Sequence, residues 1–110
     1  MLTNETLTAT YESLKAAVIT AFSTGEMAIQ AKAAFETGKA ALLLDGRLDG
    51  KNQEQRDAQA RELLAVLYRN AEAAEKMARE AKCGLETARL DVGVVRAQLR
   101  LLELTEAVAS

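Results

Sequence analysis

The fold of this chain is decided by residues 60–102, which read ARELLAVLYRNAEAAEKMAREAKCGLETARLDVGVVRAQLRLL. Alternate steps of four and three residues reach an apolar side chain every time, and such a series lies on one face of an α-helix. The series consists of Ala60, Leu64, Leu67, Ala71, Ala74, Ala78, Ala81, Leu85, Ala88, Val92, Val95, Leu99 and Leu102. Because no proline interrupts it and the intervening Arg, Glu, Lys and Gln residues favour helices, the pattern predicts one long amphipathic helix.

A second apolar series predicts another long helix in the first half of the chain. Its expected interior positions are Leu7, Tyr11, Leu14, Val18, Ala21, Gly25, Ala28, Ala31, Phe35, Gly38 and Leu42. The spacing loses one residue of phase after Ala28, which indicates a stammer. Thr3 or Asn4 is expected to cap the start of this helix. A capping-box sequence at residues 23–26 leaves open whether the helix breaks near Gly25 or continues through it.

The apolar periodicity stops between Asp45 and Asn52, where two Asp-Gly dipeptides indicate a loop. Gly46 or Gly50 is expected to take the left-handed conformation that ends the first helix. Asn52 is expected to cap the second helix, with Gln55 reaching back to the cap.

A short connection between two long helices makes them antiparallel neighbours. A fold-back at Asp49 places residue i of the first helix opposite approximately residue 98 − i of the second. The strip of small residues around Gly25 is expected to pack closely against the alanine strip that includes Ala78. The predicted fold is therefore all-α: a long antiparallel two-helix hairpin with a coiled-coil-like, alanine-rich seam, associating into a helical bundle. Its expected bounds are a single domain of residues 1–110, with helix one at about 4–45, the loop at 46–52 and helix two at about 53–107.

The end of helix two is expected to extend beyond helix one, so that residues from about Val95 onward lack a partner within the chain. This end also carries a second apolar series, on the side opposite the seam. A helix that is apolar on two faces is normally buried among several others. We therefore expect a homo-oligomer, with a dimer favoured and a higher even number as the alternative. The predicted interface residues are Leu90, Val94, Ala97, Leu101, Leu104 and Val108.

The composition argues against several classes of protein. The absence of histidine removes the commonest general base near neutral pH, and the single cysteine, Cys83, excludes the known zinc ligand sets. The serines and glycines form neither a nucleophile elbow nor a phosphate-binding loop. We predict no enzymatic activity, no metal and no cofactor. Cys83 is expected to be half-buried on a helix flank.

The sequence also predicts a cytoplasmic protein with no membrane association. Its most membrane-like stretch, residues 16–22, is far shorter than the roughly 20 apolar residues of a spanning helix. The first residues lack the basic, apolar and small-residue order of a secretory signal.

A net charge of −2 argues against a surface devoted to phosphate binding, although local basic patches remain possible. The candidate nucleic-acid contacts are Arg47, Lys51 and Arg56 near the loop, and Arg89, Arg96 and Arg100 on one flank of helix two. The flank arginines can instead cover apolar neighbours and pair with acidic side chains across an oligomer interface.

Residues 48–58, LDGKNQEQRDA, and the long helix that ends with RAQLRLLE at residues 96–103 resemble small helical proteins of bacteriophage and prophage genomes. Those proteins carry a Gly-Lys-Asn turn followed by Glu-x-Arg, and some are thought to accompany DNA-recombination genes. The resemblance covers roughly the second half of the chain. It implies a phage-type accessory protein, in which Gly50, Lys51 and Asn52 form a turn and not a catalytic site. The expected function is a self-associating structural or protein-interaction module, and the alternative is a nucleic-acid-binding accessory factor in DNA recombination or replication.

Overall fold

The computed structural model describes residues 2–109, and the regular elements within that range are three α-helices. They are α1 (Asn4–Leu44), α2 (Gln53–Leu63) and α3 (Ala65–Ala109). The two long helices, α1 and α3, pack against each other. The all-α class and the bounds of helix one are thereby confirmed, while helix two differs from the prediction.

The chain forms two compact units. One contains the chain up to Phe22 together with the chain from Arg79 onward, and the other contains Ser23–Ala78. In the first unit, the beginning of α1 packs against the later part of α3. In the second, the rest of α1 packs against the loop, α2 and the beginning of α3.

A threonine cap begins α1, and the helix then continues without a break. The Thr3 Oγ1 atom accepts a hydrogen bond from the main-chain N–H of Thr6 at 3.1 Å, which satisfies one of the free donors of the first turn. The helix passes through Gly25, so the alternative of a break near this residue is wrong.

The covered face of α1 differs by one residue from the predicted series at three points. One series of partly or fully buried positions alternates by three and four residues: Leu7, Thr10, Leu14, Ala17, Ala21, Thr24, Ala28, Ala31, Phe35, Gly38 and Leu42. Gly25 and Lys39, each directly after a member of this series, are also partly buried. Tyr11 and Val18, two of the predicted interior residues, are exposed instead. Because the series keeps one phase throughout, the predicted stammer is wrong.

Threonines occupy two of these three points: Thr10 stands where the series predicted Tyr11, and Thr24 where it predicted Gly25. The Thr10 hydroxyl donates a hydrogen bond to the carbonyl oxygen of Thr6 at 2.8 Å. This bond satisfies the hydroxyl within the helix, so the methyl group is free to pack. A ranking of residues by hydrophobicity alone therefore chooses Tyr11 over Thr10.

The first helix ends in a Schellman motif. The main-chain N–H of Arg47 bonds the carbonyl of Leu42 at 2.9 Å, and that of Gly46 bonds Leu43 at 3.2 Å. Gly46 has a φ of 72°, in the left-handed region that glycine adopts without steric cost. Of the two glycines considered for this role, Gly46 is therefore the one that ends α1.

The predicted cap of the second helix is confirmed. The Asn52 Oδ1 atom accepts a hydrogen bond from the main-chain N–H of Gln55 at 2.8 Å. The Gln55 side chain reaches back to the main-chain N–H of Lys51, also at 2.8 Å. Gly50 packs so closely on this first turn that a Cβ atom there would lie 2.8 Å from the Gln55 Cβ.

The prediction of one continuous helix over residues 53–107 is wrong, because Leu64 separates α2 from α3. Its φ of −110° and ψ of 39° lie outside the helical range. Its N–H still bonds the carbonyl of Ala60, and its own carbonyl accepts from Tyr68, both at 2.9 Å. Helical hydrogen bonding thus continues on both sides, and Leu64 keeps its place in the apolar series, which is why the sequence pattern does not show the interruption.

The register of the second unit is shifted by about one helical turn from the expected one. The prediction places Ala60 opposite Gly38, whereas the Leu64 Cδ1 atom lies 3.1 Å from where a Cβ of residue 38 would be. The loop is the physical reason. Leu48 is only 6% exposed and packs in a buried cluster with Leu42 and Ala60, so the connection is not a symmetrical turn at Asp49.

The close approach expected at Gly25 is also wrong. A Cβ atom built on Gly25 has no neighbour within 4 Å, so there is no tight contact with Ala78 at this position. The buried residue of this turn is Thr24, which is 9% exposed.

Candidate interaction surfaces

The C-terminal part of α3 leaves the cover of α1 about one turn later than expected. Val95, where the overhang was predicted to begin, is only 5% exposed. Leu99 is half-buried, and every residue from Arg100 to Ala109 is exposed. Leu102, the last member of the predicted seam, is among them.

The predicted interface residues form an exposed apolar face on α3. Their spacing by four and three residues places them on the side opposite Val92 and Val95, which are buried. Leu90 is 72% exposed, Val94 57%, Leu101 64%, Leu104 56% and Val108 89%, and Ala97 is also exposed. We call this set, Leu90, Val94, Ala97, Leu101, Leu104 and Val108, the outer face of α3.

Cys83 extends the outer face toward the N-terminus of α3. It precedes Leu90 by seven residues, which is two turns of a heptad repeat. The residue is exposed and its thiol is free, so the prediction of a half-buried position is wrong. The prediction was wrong because Cys83 lies on the side of α3 directly opposite the seam and not on a flank of the seam.

One of the three loop cations has a structural role. The Arg56 Nη1 atom donates a hydrogen bond to the carbonyl oxygen of Gly50 at 3.1 Å, and Nη2 donates to the Gln53 Oε1 atom at 3.4 Å. Arg56 is half-buried and ties the first turn of α2 to the loop. Arg47 and Lys51 are exposed. The structure thus leaves two of the three side chains accessible to a phosphate group.

The flank arginines of α3 are all exposed. The Arg89 Nη1 atom lies 3.1 Å from the Glu86 Oε1 atom one turn away. An exposed pair of this kind adds little to stability and is easily exchanged for another partner. Arg89 therefore pairs with an acidic side chain of its own helix, and this pair does not require an oligomer interface. Arg96 and Arg100 lie further along the same flank.

A groove between the end of α1 and the start of α2 is held by an ion pair. The Lys39 Nζ atom lies 2.6 Å from the Asp57 Oδ1 atom, and the Gln53 side-chain amide donates to the same oxygen at 2.8 Å. These hydrogen bonds, that from Lys39 first, hold the pKa of Asp57 below its ordinary value. Lys39 and Arg56, the two cations that line this groove, are thus both engaged in bonds within the chain.

Tyr68 belongs to the packing of the second unit. Its ring centroid lies 5.5 Å from that of Phe35, and the Arg61 guanidinium lies 5.5 Å from the ring centre. Its hydroxyl donates to the Glu72 carboxylate at 2.7 Å, and this bond raises the pKa of Tyr68 above 10.0. Both the ring and the hydroxyl of Tyr68 are thus engaged within the chain.

Two further classes of site have no candidate among residues 2–109. No group of three His, Cys, Asp or Glu side chains lies close enough together there to hold a metal ion. No helix in this range is long and apolar enough to cross a membrane.

The helices define an all-α, hairpin-like class of protein. Its described surface includes the outer face of α3, further exposed apolar side chains on α1 such as Phe22 and Ile29, and several exposed arginines. Comparison with protein families, with curated proteins and with solved structures found no match.

Proposed function

We propose that this chain is a self-associating structural or protein-interaction module that works as a homodimer. The observation that supports the proposal is the outer face of α3, where five large aliphatic side chains are more than half exposed. A contiguous apolar surface of this kind is typical of an interaction site. As the phage resemblance implies, we take the module to be a phage-type accessory protein. The sequence pattern and composition lead us to expect it in the cytoplasm, without a catalytic centre or cofactor.

The apolar burial available from this face is of the same order as the cost of forming a dimer. Full burial of a Leu or Val side chain is worth roughly 1.5–3 kcal/mol, and a twofold interface counts each residue twice. Five such residues, each more than half exposed, supply roughly 10–20 kcal/mol in a dimer. Association costs about 4–15 kcal/mol in lost freedom of motion. The gain exceeds the cost over most of these two ranges, and a dimer at micromolar concentration needs a net gain of about 8 kcal/mol, which the upper part of the range supplies.

The test is sedimentation equilibrium or light scattering on the intact chain at micromolar concentration. We expect a dimer for the unchanged protein and a monomer for Leu101→Glu with Leu104→Glu. The matched control is Leu43→Glu, because Leu43 is 58% exposed near the end of α1 and lies outside the outer face. A monomer of the unchanged protein, or an intact dimer of the double variant, would contradict the proposal.

A truncated chain separates association from folding. Ending the chain after Leu99 removes the exposed overhang and keeps Val92 and Val95 in the seam. We expect this variant to keep its helical circular dichroism and to sediment as a monomer. A cut at Val94 would also remove Val95 from its buried position and would therefore confuse the two effects.

A nucleic-acid-binding accessory factor is our second candidate, and the exposure of five of the six predicted contacts supports it. They are Arg47, Lys51, Arg89, Arg96 and Arg100. A mobility shift with DNA and RNA over a salt series tests this candidate, since binding through phosphates weakens steeply as salt rises. No shift at low salt would remove it, and a shift that is lost in Arg47→Ala with Lys51→Ala would assign it to the loop.

A further inference from the structure

We propose that two copies of the chain pair α3 against α3 in antiparallel orientation, about a twofold axis near Leu99. This inference rests on the proposed function and specifies the geometry of the association. Three pairs of residues define the register on each side of the axis. Leu90 faces the partner's Val108, Val94 faces the partner's Leu104, and Ala97 faces the partner's Leu101.

The spacing of the outer face is the first argument. From Leu90 to Val108 the steps are four, three, four, three and four residues, and this order is the same when it is read backwards. Reversal of one helix therefore brings every apolar position of the face onto an apolar position of the other copy. A twofold interface needs this property, because one surface patch must complement itself.

The sizes of the side chains are the second argument. In the antiparallel register, each layer joins a larger side chain to a smaller one: leucine to valine in two layers and leucine to alanine in the third. In a parallel register, Ala97 would face its own copy directly next to a layer of two Leu101 side chains. Layers of similar volume pack to the density of a protein interior, whereas the alanine layer of the parallel register leaves a void.

The support of the overhang is the third argument. Residues 100–109 extend beyond the cover of α1, and a helical end without packing is only marginally stable in water. The antiparallel register places this end beside residues 89–98 of the other copy. There α3 is anchored on α1 through Val92 and Val95, which are 4% and 5% exposed. A parallel register would instead join the two unsupported ends.

The area of the face meets the requirement of a specific interface. The five large side chains are between 56% and 89% exposed, so their burial removes roughly 500 Å² per subunit and about 1,000 Å² in total, the lower limit for such interfaces. Gln98 lies beside the axis on one flank and Arg100 on the other. The two Arg100 charges repel each other weakly, and salt screens them. We therefore expect the dimer to tighten as salt rises.

Disulfide cross-linking tests the orientation, with Cys83 replaced by Ser in each engineered variant. Gln98→Cys lies beside the axis, so we expect mild oxidation to link two copies. Asp91→Cys lies on the same flank seven residues away, and an antiparallel register separates its two copies by about 20 Å, beyond the roughly 7 Å that a disulfide spans. We expect no link with this variant alone and a link when it is mixed with Thr105→Cys.

The unchanged protein provides the opposite test through its native thiol. In a parallel register Cys83 continues the outer face and would meet its own copy, so oxidation would give a linked dimer. In the antiparallel register the two thiols lie about 50 Å apart, and we expect no link. Glu103→Cys in the Cys83→Ser chain, exposed but on the seam side of the helix, controls for random collisions and should also stay unlinked.

Sedimentation of the same samples separates the two proposals. A dimer that links through Gln98→Cys and not through Cys83 supports the antiparallel register. A dimer that links through Cys83, or that fails to link through Gln98→Cys, overturns this register and leaves the proposed function in place. A monomer in every sample overturns the proposed function itself.

Discussion

The two glycines in the middle of α1 give a sharp test of the register. An alanine in a helix interior is about 1 kcal/mol more favourable than a glycine. At Gly25 a new Cβ meets no atom within 4 Å, so Gly25→Ala should gain this full amount. At Gly38 the new Cβ would lie 3.1 and 3.3 Å from the two terminal methyl groups of Leu64 and 3.5 Å from Leu67. These contacts are tight enough to cancel the gain.

A side chain larger than alanine at residue 38 should lower the stability of the protein. Gly38→Val adds two methyl groups to a space already filled by Leu64, and overpacking of this kind typically costs about 1–3 kcal/mol. The matched Gly25→Val adds the same atoms in open space and should lie close to the unchanged protein.

The assay is thermal unfolding followed by circular dichroism, at one protein concentration for all variants because association shifts the apparent stability. A gain of 1 kcal/mol raises the Tm of a domain of this size by about 4 °C. We expect Gly25→Ala to show this rise, Gly38→Ala to stay near the unchanged protein and Gly38→Val to fall below it. Equal stabilisation by the two alanine variants would refute the close approach of Leu64 and, with it, the register of the second unit.

Three further predictions concern the loop end of the second unit. Leu48→Ala should cost about 2–4 kcal/mol in urea unfolding because Leu48 is 6% exposed, whereas Leu44→Ala, at an 88% exposed site, should change little. Asn52→Ala should cost about 1 kcal/mol through loss of the cap of α2, and an unchanged midpoint would contradict the Asn52–Gln55 bond. The pKa of Asp57 is lowered in the folded protein, so its carboxylate stabilises the fold above pH 3.8, the ordinary pKa. This stabilisation is lost as the pH falls through the folded pKa, and acid should therefore destabilise the unchanged protein more than the Asp57→Asn variant.

Features that depend on near neighbours in the chain could be read from the sequence. The seam of α2 and α3 follows the predicted series from Ala60 to Leu99, because a helical period is a local property and an apolar stripe must be covered. The cap at Asn52 and the glycine that ends α1 depend on hydrogen bonds within a few residues. The exposure of the outer face of α3 was also predicted, since it lies opposite the seam.

Features of the surface that involve folded neighbours could not be read in this way. Arg56 looks like a free loop cation in the sequence, but the fold brings the carbonyl of Gly50 within 3.1 Å of its guanidinium. The phase of α1 was missed at Thr10 because its hydroxyl is satisfied by the helix itself, which allows a polar residue into the seam. Cys83 is different, because its spacing of seven residues from Leu90 already puts it opposite the seam, so its exposed position could have been read from the sequence.

The sequence by itself determined that two long helices bury one apolar stripe each, because the period of the apolar residues depends only on near neighbours in the chain. Only the tertiary structure decided how far the two stripes slide past each other. In an alanine-rich seam, a shift by one turn puts apolar residues on apolar residues again, so the burial energy of neighbouring registers is nearly equal. Side-chain shape decides which register forms. Leu64 packs over Gly38, which has no side chain, and Leu48 anchors the loop by packing with Leu42 and Ala60.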